Sequence, residues 1–153
     1  MTSSAEINEI LKNKREFLGC FSPNQLPVNI PASTLPKYLI VNTCCSQKKM
    51  GHWIVIYVKS CREIFYFNPL GCVGDNQPTN KIRHFLCSIF FKNIYFNTFP
   101  IQSNESQSCG LFCILFVKSV KTLNDFIRFM NKFNCKDLNE NDKILKMLMI
   151  SCE

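Results

Sequence analysis

The sequence predicts an α+β fold in which a central mixed β-sheet is packed between helices. Three short runs rich in β-branched and aromatic residues follow one another at residues 38–41, 53–58 and 64–67. Each run is apolar throughout, which is typical of strands that are covered on both faces. Helical patterns before and after these runs provide that cover, so helices are expected on the faces of the sheet.

The other elements follow from periodicity and from proline. Helical spacing of apolar residues occurs in five segments, which are residues 5–15, 81–91, 109–120, 123–133 and 141–150. The first helix has Ser3 or Ser4 available as a cap. A short strand is predicted at 94–96, and the strands at 53–58 and 64–67 are expected to form a hairpin. Four prolines in residues 22–36 predict an irregular segment.

Length and composition predict one soluble globular domain over residues 1–153. The chain is 46% hydrophobic and 19% charged, which is the balance of a folded protein. No apolar run approaches the roughly 18 residues that span a bilayer, and the polar start is unlike a secretory signal. We therefore expect an intracellular monomer with no membrane partner.

The ten cysteines are expected to be free thiols. Nothing in the sequence marks export, and apolar residues surround most of the cysteines, so a disulfide scaffold is not favoured. There is no Cys-x-x-Cys pair, and the two histidines, His52 and His84, are far apart in sequence. These spacings predict neither a metal site nor a metal or organic cofactor.

The formal net charge of +7 predicts salt-dependent attraction to polyanions. Basic residues are concentrated at 12–15, at Lys48-Lys49 and at Lys118 and Lys121. A solvated basic surface explains this charge equally well, because no helix-turn-helix, zinc-finger or basic-region motif accompanies it. DNA binding is therefore a secondary hypothesis.

The strongest chemical signal is Cys109, which a polar loop delivers directly into an apolar helix. Cys109 would stand at the N-terminus of that helix, where the helix dipole and the free N–H groups favour a thiolate. A nucleophilic cysteine also needs a base. His52 lies at the start of a predicted strand beside Gly51 and Trp53, whereas His84 lies within an amphipathic helix, so His52 is the predicted base.

A third polar group usually fixes the orientation of a catalytic histidine. Asn68 ends the strand that is expected to pair with the one opened by His52, although it also starts an ordinary Asn-Pro-Leu-Gly turn. The oxyanion needs two donors, for which the backbone N–H of Cys109 is the first candidate. The second is Gln102 or Gln107, both of which lie in the preceding loop.

Four motifs in this order resemble the adenovirus maturation protease family, the adenains, and more broadly the Ulp1-like cysteine proteases. The motifs are residues 39–43, Gly51-His52-Trp53, residues 67–71, and Gln102 with residues 108–113. Residues 16–20 also look like the N-terminal segment of that family. Each piece alone is weak, but the ordered set is specific.

The resemblance implies roles for individual residues. The family's histidine falls on His52, its nucleophile on Cys109 and its oxyanion-hole glutamine on Gln102, whereas Gln107 has no family role. The acidic third member falls on Asn68, where adenains carry a glutamate; a Cys-His-Asn arrangement is also workable.

Two further residues are expected to support this site. Trp53 would pack beside the histidine, and a role as a core aromatic residue is equally compatible with its position. Gly110 follows the nucleophile directly within the matched motif.

The resemblance implies a viral or virus-like-element cysteine endopeptidase that processes capsid and virion precursor proteins after small residues such as Gly-Gly. It also implies a location in the virion and the host nucleus. A ubiquitin- or SUMO-type isopeptidase of the same clan is one alternative. A catalytically inactive, basic, DNA-binding virion protein is the other.

The family's activators are DNA and a viral peptide, which adds a strand to the protease and forms a disulfide with it. The position that matches the family's disulfide-forming cysteine is Phe91, with Cys87 nearby. Activation by DNA and a peptide is therefore expected by resemblance only, and without a disulfide.

Overall fold

A computed structural model describes residues 1–44, 51–89 and 93–151. Five strands form one sheet, and their bounds are β1 Phe17–Phe21, β2 Lys37–Asn42, β3 Trp53–Val58, β4 Glu63–Phe67 and β5 Asn93–Phe96. The α-helices are α1 Ser4–Leu11, α2 Asn80–Ser88, α3 Cys109–Ser119, α4 Leu123–Met130 and α5 Asn141–Ile150. No helix within the described ranges is long and apolar enough to cross a bilayer.

The sheet is mixed, as predicted, and its strand order follows the chain from β1 to β5. The three inner strands β2, β3 and β4 are antiparallel neighbours, and the predicted hairpin of β3 and β4 is present. The outer strands β1 and β5 run parallel to β2 and β4. The central strand β3 is buried along its whole length.

Helices cover both faces of the sheet, as the continuous apolar strands predicted. The larger core lies between one face and helices α1, α3, α4 and α5. Within it, the Phe67 ring of β4 stacks on the Phe116 ring of α3, with centroids 4.7 Å apart. The smaller core lies between the other face and α2, which contributes Ile82, Phe85 and Leu86.

The structure differs from the sequence-based prediction mainly at element ends. β1 was not predicted, because its five residues include Gly19 and show no clear alternation; pairing with β2 makes it a strand. α1 ends at Leu11, its last buried residue, and α4 ends at Met130, although the following Phe133 is still buried. α2 ends at Ser88. The prediction for this helix ran to residue 91, and residues 90 and 91 are not among those that the structure describes.

Gly71 lies in the turn after β4, where the backbone requires glycine. Its φ is +77°, and a Cβ at this position would lie 2.7 Å from the Thr98 carbonyl oxygen. Gly74 also has a positive φ, of +56°, but a Cβ there would meet nothing within 4 Å. The two glycines therefore differ in steric contact but share a left-handed backbone conformation.

We predict that Gly71→Ala lowers the free energy of unfolding by about 3 kcal/mol, because backbone strain and a clash with a carbonyl act together. Gly74→Ala is the matched control, and it is expected to cost about 1 kcal/mol from strain alone. Urea denaturation of both variants measures the difference. Equal losses would contradict the close packing of this turn against residues 98–100.

Candidate active site

His52 immediately precedes β3, and its backbone is bonded to the residue that directly follows β2. The Thr43 N–H donates to the His52 carbonyl over 2.8 Å. At the neighbouring Gly51, a Cβ would lie 2.1 Å from the Asn42 Oδ1, so a larger residue would require the Asn42 side chain to move. The imidazole is directed toward β4, where its Nε2 lies 2.6 Å from the Asn68 Oδ1.

The Asn68 amide has a defined orientation that also fixes the histidine tautomer. Its Oδ1 accepts from the Leu70 N–H over 2.9 Å, and its Nδ2 donates to the Asn76 carbonyl over 3.0 Å. The oxygen therefore faces His52, so Nε2 must carry the hydrogen of that bond. In the neutral imidazole, Nδ1 is then the unprotonated nitrogen that is available to accept a proton.

Asn97 holds the backbone of Asn68, and sequence reasoning missed it. Asn97 Oδ1 accepts from the Asn68 N–H over 3.0 Å, and its Nδ2 donates to the Asn68 carbonyl over 2.7 Å. Both residues follow the ends of neighbouring parallel strands. A signal was present, because the tripeptide Tyr-Phe-Asn occurs at residues 66–68 and again at 95–97.

We predict that Asn68→Ala slows peptide hydrolysis about 10- to 100-fold, which is the effect of losing one hydrogen bond to a charged group. The acidic limb of the pH–rate profile should also move, because the Asn68 hydrogen bond raises the pKa of His52. The exposed Asn124 on α4 provides a matched control, since Asn124→Ala should change neither quantity. If the pH–rate profile of Asn68→Ala were unchanged, Asn68 would not act on catalysis through His52.

Cys109 opens α3, as predicted, and it lies against the residue that follows His52. The residue is only 3% exposed. Burial raises the pKa of the Cys109 thiol, whereas hydrogen bonding from the backbone N–H groups of Trp53, Gly110 and Cys109 itself lowers it. The contact with the Trp53 N–H brings the α3 N-terminus to the start of β3.

The ionisation of this pair differs from the sequence-based expectation. The helix N-terminus predicted a thiolate, but burial is the largest influence on Cys109 and raises the pKa of its thiol. Burial also lowers the pKa of His52, more than the Asn68 hydrogen bond raises it. Both shifts favour a neutral thiol and a neutral imidazole in this state.

Gln102 lies in the loop before α3 and is only 4% exposed. Its Nε2 donates to the Ser106 carbonyl over 2.7 Å, which leaves the second N–H of the amide as a donor. Its Oε1 has no hydrogen-bond partner within the part of the chain that the structure describes. Gln107 instead accepts from the Met1 ammonium over 3.2 Å at an exposed position.

The loop that carries Gln102 is fastened to both the β4 turn and α5. The Pro69 carbonyl accepts from the Ile101 and Gln102 N–H groups over 2.9 and 3.0 Å. The buried Asn141 at the start of α5 donates to the Ile101 carbonyl over 2.8 Å. These contacts place Gln102 beside the turn that begins at Asn68.

Trp53 and Gly110 are in contact beside the nucleophile. A Cβ at Gly110 would lie 3.3 Å from Trp53 Cδ1 and 2.7 Å from Thr2 Cβ. Trp53 is 6% exposed, and its Nε1 donates to the Thr2 carbonyl over 2.9 Å. Trp53 therefore belongs to the core and to the surroundings of Cys109 at once.

The sequence also matches a known protein family. The family model for the adenovirus endoprotease matches residues 17–139. The chain belongs to the adenovirus endoprotease family. The matched segment contains His52, Asn68, Gln102 and Cys109. Membership in the adenovirus endoprotease family associates the chain with viral cysteine endopeptidases, whose substrates are proteins.

A solved structure supports the fold. The central domain of the uncharacterized Lpg1148 protein from Legionella pneumophila is similar over 99% of this chain and 96% of that one, with a TM-score of 0.58 and 14% sequence identity. At this identity the similarity concerns the fold alone. No curated protein matches the chain.

Three residues named in the sequence analysis lie outside the described residues, and the described residues can also be searched for a metal site. Lys48-Lys49 and Phe91 are not among the described residues. Within residues 1–44, 51–89 and 93–151, no three His, Cys, Asp or Glu side chains are grouped as a metal site.

Proposed function

We propose that this protein is an active cysteine endopeptidase in which Cys109 is the nucleophile and His52 the base. The observation that carries the proposal is the 2.6 Å contact between His52 and Asn68, which leaves Nδ1 of the imidazole as the basic nitrogen. The position of Cys109 at the N-terminus of α3, against the backbone of Trp53, supports it further. Asn68 orients the base.

Catalysis begins from the neutral pair. As the Cys109 sulfur attacks the amide carbonyl carbon, the thiol proton passes to Nδ1 of His52. The negative charge on the substrate oxygen is stabilised by the Cys109 N–H and by the second N–H of Gln102. The imidazolium then protonates the leaving amine, and the C–N bond breaks to give a thioester.

Water completes the reaction. His52 removes a proton from a water molecule, which attacks the thioester carbonyl and releases the acid product and the Cys109 thiol. Asn68 accepts the Nε2–H bond throughout, so the ring keeps one orientation in both half-reactions. No metal or organic cofactor enters this sequence of steps.

The proposed substrates are capsid and virion precursor proteins cleaved after small residues such as Gly-Gly. Close packing supports this preference, because Cys109 is buried and a Cβ at the adjacent Gly110 would lie 3.3 Å from Trp53 Cδ1. A narrow cleft of this kind discriminates against bulky side chains at the scissile bond. By family membership, the site of action is the virion and the host nucleus.

A panel of peptides tests this proposal. Peptides with a central Gly-Gly are incubated with the reduced protein, and the new N-termini are identified by mass spectrometry. Matched peptides in which the second glycine is replaced by leucine serve as controls. Cleavage after Gly-Gly supports the proposal, and failure to cleave any peptide, with DNA and virion-derived peptides added, would contradict it.

We also propose that DNA and a peptide stimulate the enzyme, as in the family. An apolar groove of about 390 Å³ lies between β5 and α4, and its lining includes Phe96 and Ile127, which are 50% and 52% exposed. β5 ends the sheet as described, so its outer edge is available for a peptide strand. Turnover is measured with and without virion-derived peptides to test stimulation by a peptide. It is also measured with DNA at two salt concentrations to test stimulation by DNA.

A further inference from the structure

Ser106 lies in the loop before α3, and each of its polar groups is bonded. Its carbonyl accepts from the Gln102 Nε2 over 2.7 Å, and its N–H donates to the Ser103 carbonyl over 3.1 Å. Its Oγ donates to the Asp142 Oδ1 over 2.9 Å and accepts from the Ser108 N–H over 3.2 Å. One residue therefore joins Gln102, the start of α3 and the start of α5.

The two proposed oxyanion donors both depend on bonds to Ser106. Its carbonyl selects one orientation of the Gln102 amide, because a carbonyl pairs with the amide nitrogen and not with the amide oxygen. This orientation is kept although it leaves Gln102 Oε1 buried without a hydrogen-bond partner among the described residues, which costs free energy. Ser108, whose N–H donates to the Ser106 Oγ, directly precedes Cys109 and its backbone N–H.

Asp142 fixes the direction of the Ser106 hydroxyl. A serine hydroxyl carries one hydrogen and can rotate, whereas a carboxylate only accepts hydrogen bonds. The hydrogen of Ser106 therefore points at Asp142, which leaves the lone pairs of Oγ for the Ser108 N–H. A hydrogen bond to a carboxylate is stronger than one between neutral groups. Asp142 lies in the first turn of α5 and is half-buried, so the helix holds this carboxylate in place.

The preceding residue of α5, Asn141, holds the other end of the same loop. Asn141 is fully buried, and its Nδ2 donates to the Ile101 carbonyl and to the Asn134 carbonyl, each over 2.8 Å. Its Oδ1 accepts from the Asn134 N–H over 2.8 Å. Two consecutive residues of α5 thus hold the loop at Ile101 and at Ser106. α5 begins at residue 141, beyond the family-matched segment that ends at residue 139.

We propose that Ser106 and Asp142 are positioning residues for the oxyanion hole, where they fix the Gln102 amide and the Cys109 N–H relative to each other. This inference rests on the proposed protease function, because it takes these two groups as the oxyanion donors. Such donors stabilise the transition state only when they are already in place, and a small displacement of one slows the reaction. Ser106 and Asp142 act through the donors and do not themselves touch the reacting atoms.

Peptide hydrolysis by the full chain gives the first test, with each variant checked by its thermal midpoint. Asp142→Ala and Ser106→Ala should each lower kcat and kcat/KM by the same factor of about 10, because the donors act only in the transition state. Asp142→Asn keeps a side-chain oxygen that can accept from Ser106, so its kcat should stay within about 3-fold of the unsubstituted protein. Asp137→Ala is the matched control, because Asp137 caps the turn before α5 by accepting from the Asn139 N–H. Its kcat should be unchanged.

A double-mutant cycle with Gln102 separates positioning from a general loss of stability. Gln102→Ala alone should lower kcat about 100-fold, since one oxyanion donor is lost. Adding Asp142→Ala to Gln102→Ala should lower kcat by less than about 3-fold more, because the amide that Asp142 positions is already gone. An equal effect of Asp142→Ala with and without Gln102 would overturn the inference. A kcat for Asp142→Ala and Ser106→Ala equal to that of the unsubstituted protein would overturn it too.

The side-chain amide of Gln102 reports its own position without any turnover. Its bonded N–H is buried, and its resonance can be identified by its loss in Gln102→Ala. Exchange of this hydrogen with water should be about 10-fold faster in Asp142→Ala and in Ser106→Ala, because the bond opens more often. Unchanged exchange in both variants would overturn the inference. If the unsubstituted protein hydrolysed no peptide, the protease proposal would fail, and the exchange rates alone would decide whether Ser106 and Asp142 position Gln102.

Discussion

Cys109→Ala is expected to abolish peptide hydrolysis, lowering turnover by about 10⁴-fold or more, because the covalent intermediate forms on its sulfur. The fold should survive, since the change removes a single buried sulfur atom at the first residue of α3. Hydrolysis of a Gly-Gly peptide is measured for both proteins under reducing conditions. Unfolding by urea is followed in parallel to verify the fold.

Cys113→Ala is the matched control for this experiment. Cys113 lies one turn later on α3 and is also buried, but it takes no part in the proposed chemistry. We expect turnover to stay within about 3-fold of the unsubstituted protein, because the effect is limited to packing. Hydrolysis by Cys109→Ala at the rate of the unsubstituted protein would remove the basis of the whole assignment.

His52→Ala is expected to lower turnover by about 10³-fold or more, because proton transfer both to and from the imidazole is lost. The loss of turnover should be larger than the loss caused by Asn68→Ala, because Asn68 acts only by orienting the His52 imidazole. Since burial raises the pKa of the Cys109 thiol, no preformed thiolate is available to rescue the variant at neutral pH. Raising the pH toward the pKa of the thiol should restore part of the reaction.

His84→Ala is the matched control here, because His84 is the only other histidine of the chain and is exposed on α2. Its turnover and its pH–rate profile should equal those of the unsubstituted protein. If His84→Ala and His52→Ala lost equal activity, the assignment of the base to His52 would be wrong.

The central strands and the nucleophile helix could be predicted from the sequence because their signals are local. β3 was predicted with its observed bounds, since six consecutive β-branched and aromatic residues between polar segments are typical of a buried strand. The start of α3 at Cys109 was equally clear, because a polar loop changes there to an unbroken apolar run. Likewise, the end of β4 indicated Asn68 as a partner of the histidine.

Other parts of the site depend on contacts between residues that are far apart in sequence. Asn97 supports Asn68 only because β4 and β5 are parallel neighbours, and the repeated Tyr-Phe-Asn tripeptide does not by itself show that pairing. Thr2 lies beside Gly110 although the two residues are far apart in sequence, and Thr2 is outside the matched motifs. The burial that raises the pKa of the Cys109 thiol was not predicted, because the helix position is visible in the sequence, whereas the degree of burial is not.

The measurement that tests the central claim most directly is the alkylation of the reduced protein by iodoacetamide from pH 5 to pH 8, with each cysteine mapped by mass spectrometry. It needs no substrate, and it is run with and without DNA. His52→Ala is treated identically, and the exposed Cys61, Cys87 and Cys135 serve as internal references. These three thiols report any general change in reagent or pH.

We expect the rate at Cys109 to rise with pH, because burial favours the neutral thiol and imidazole. At pH 8 it should be about 10-fold or more faster in the unsubstituted protein than in His52→Ala, since the imidazole takes the thiol proton. The three reference cysteines should react equally in both proteins. A Cys109 rate that is the same with and without His52 would contradict the account.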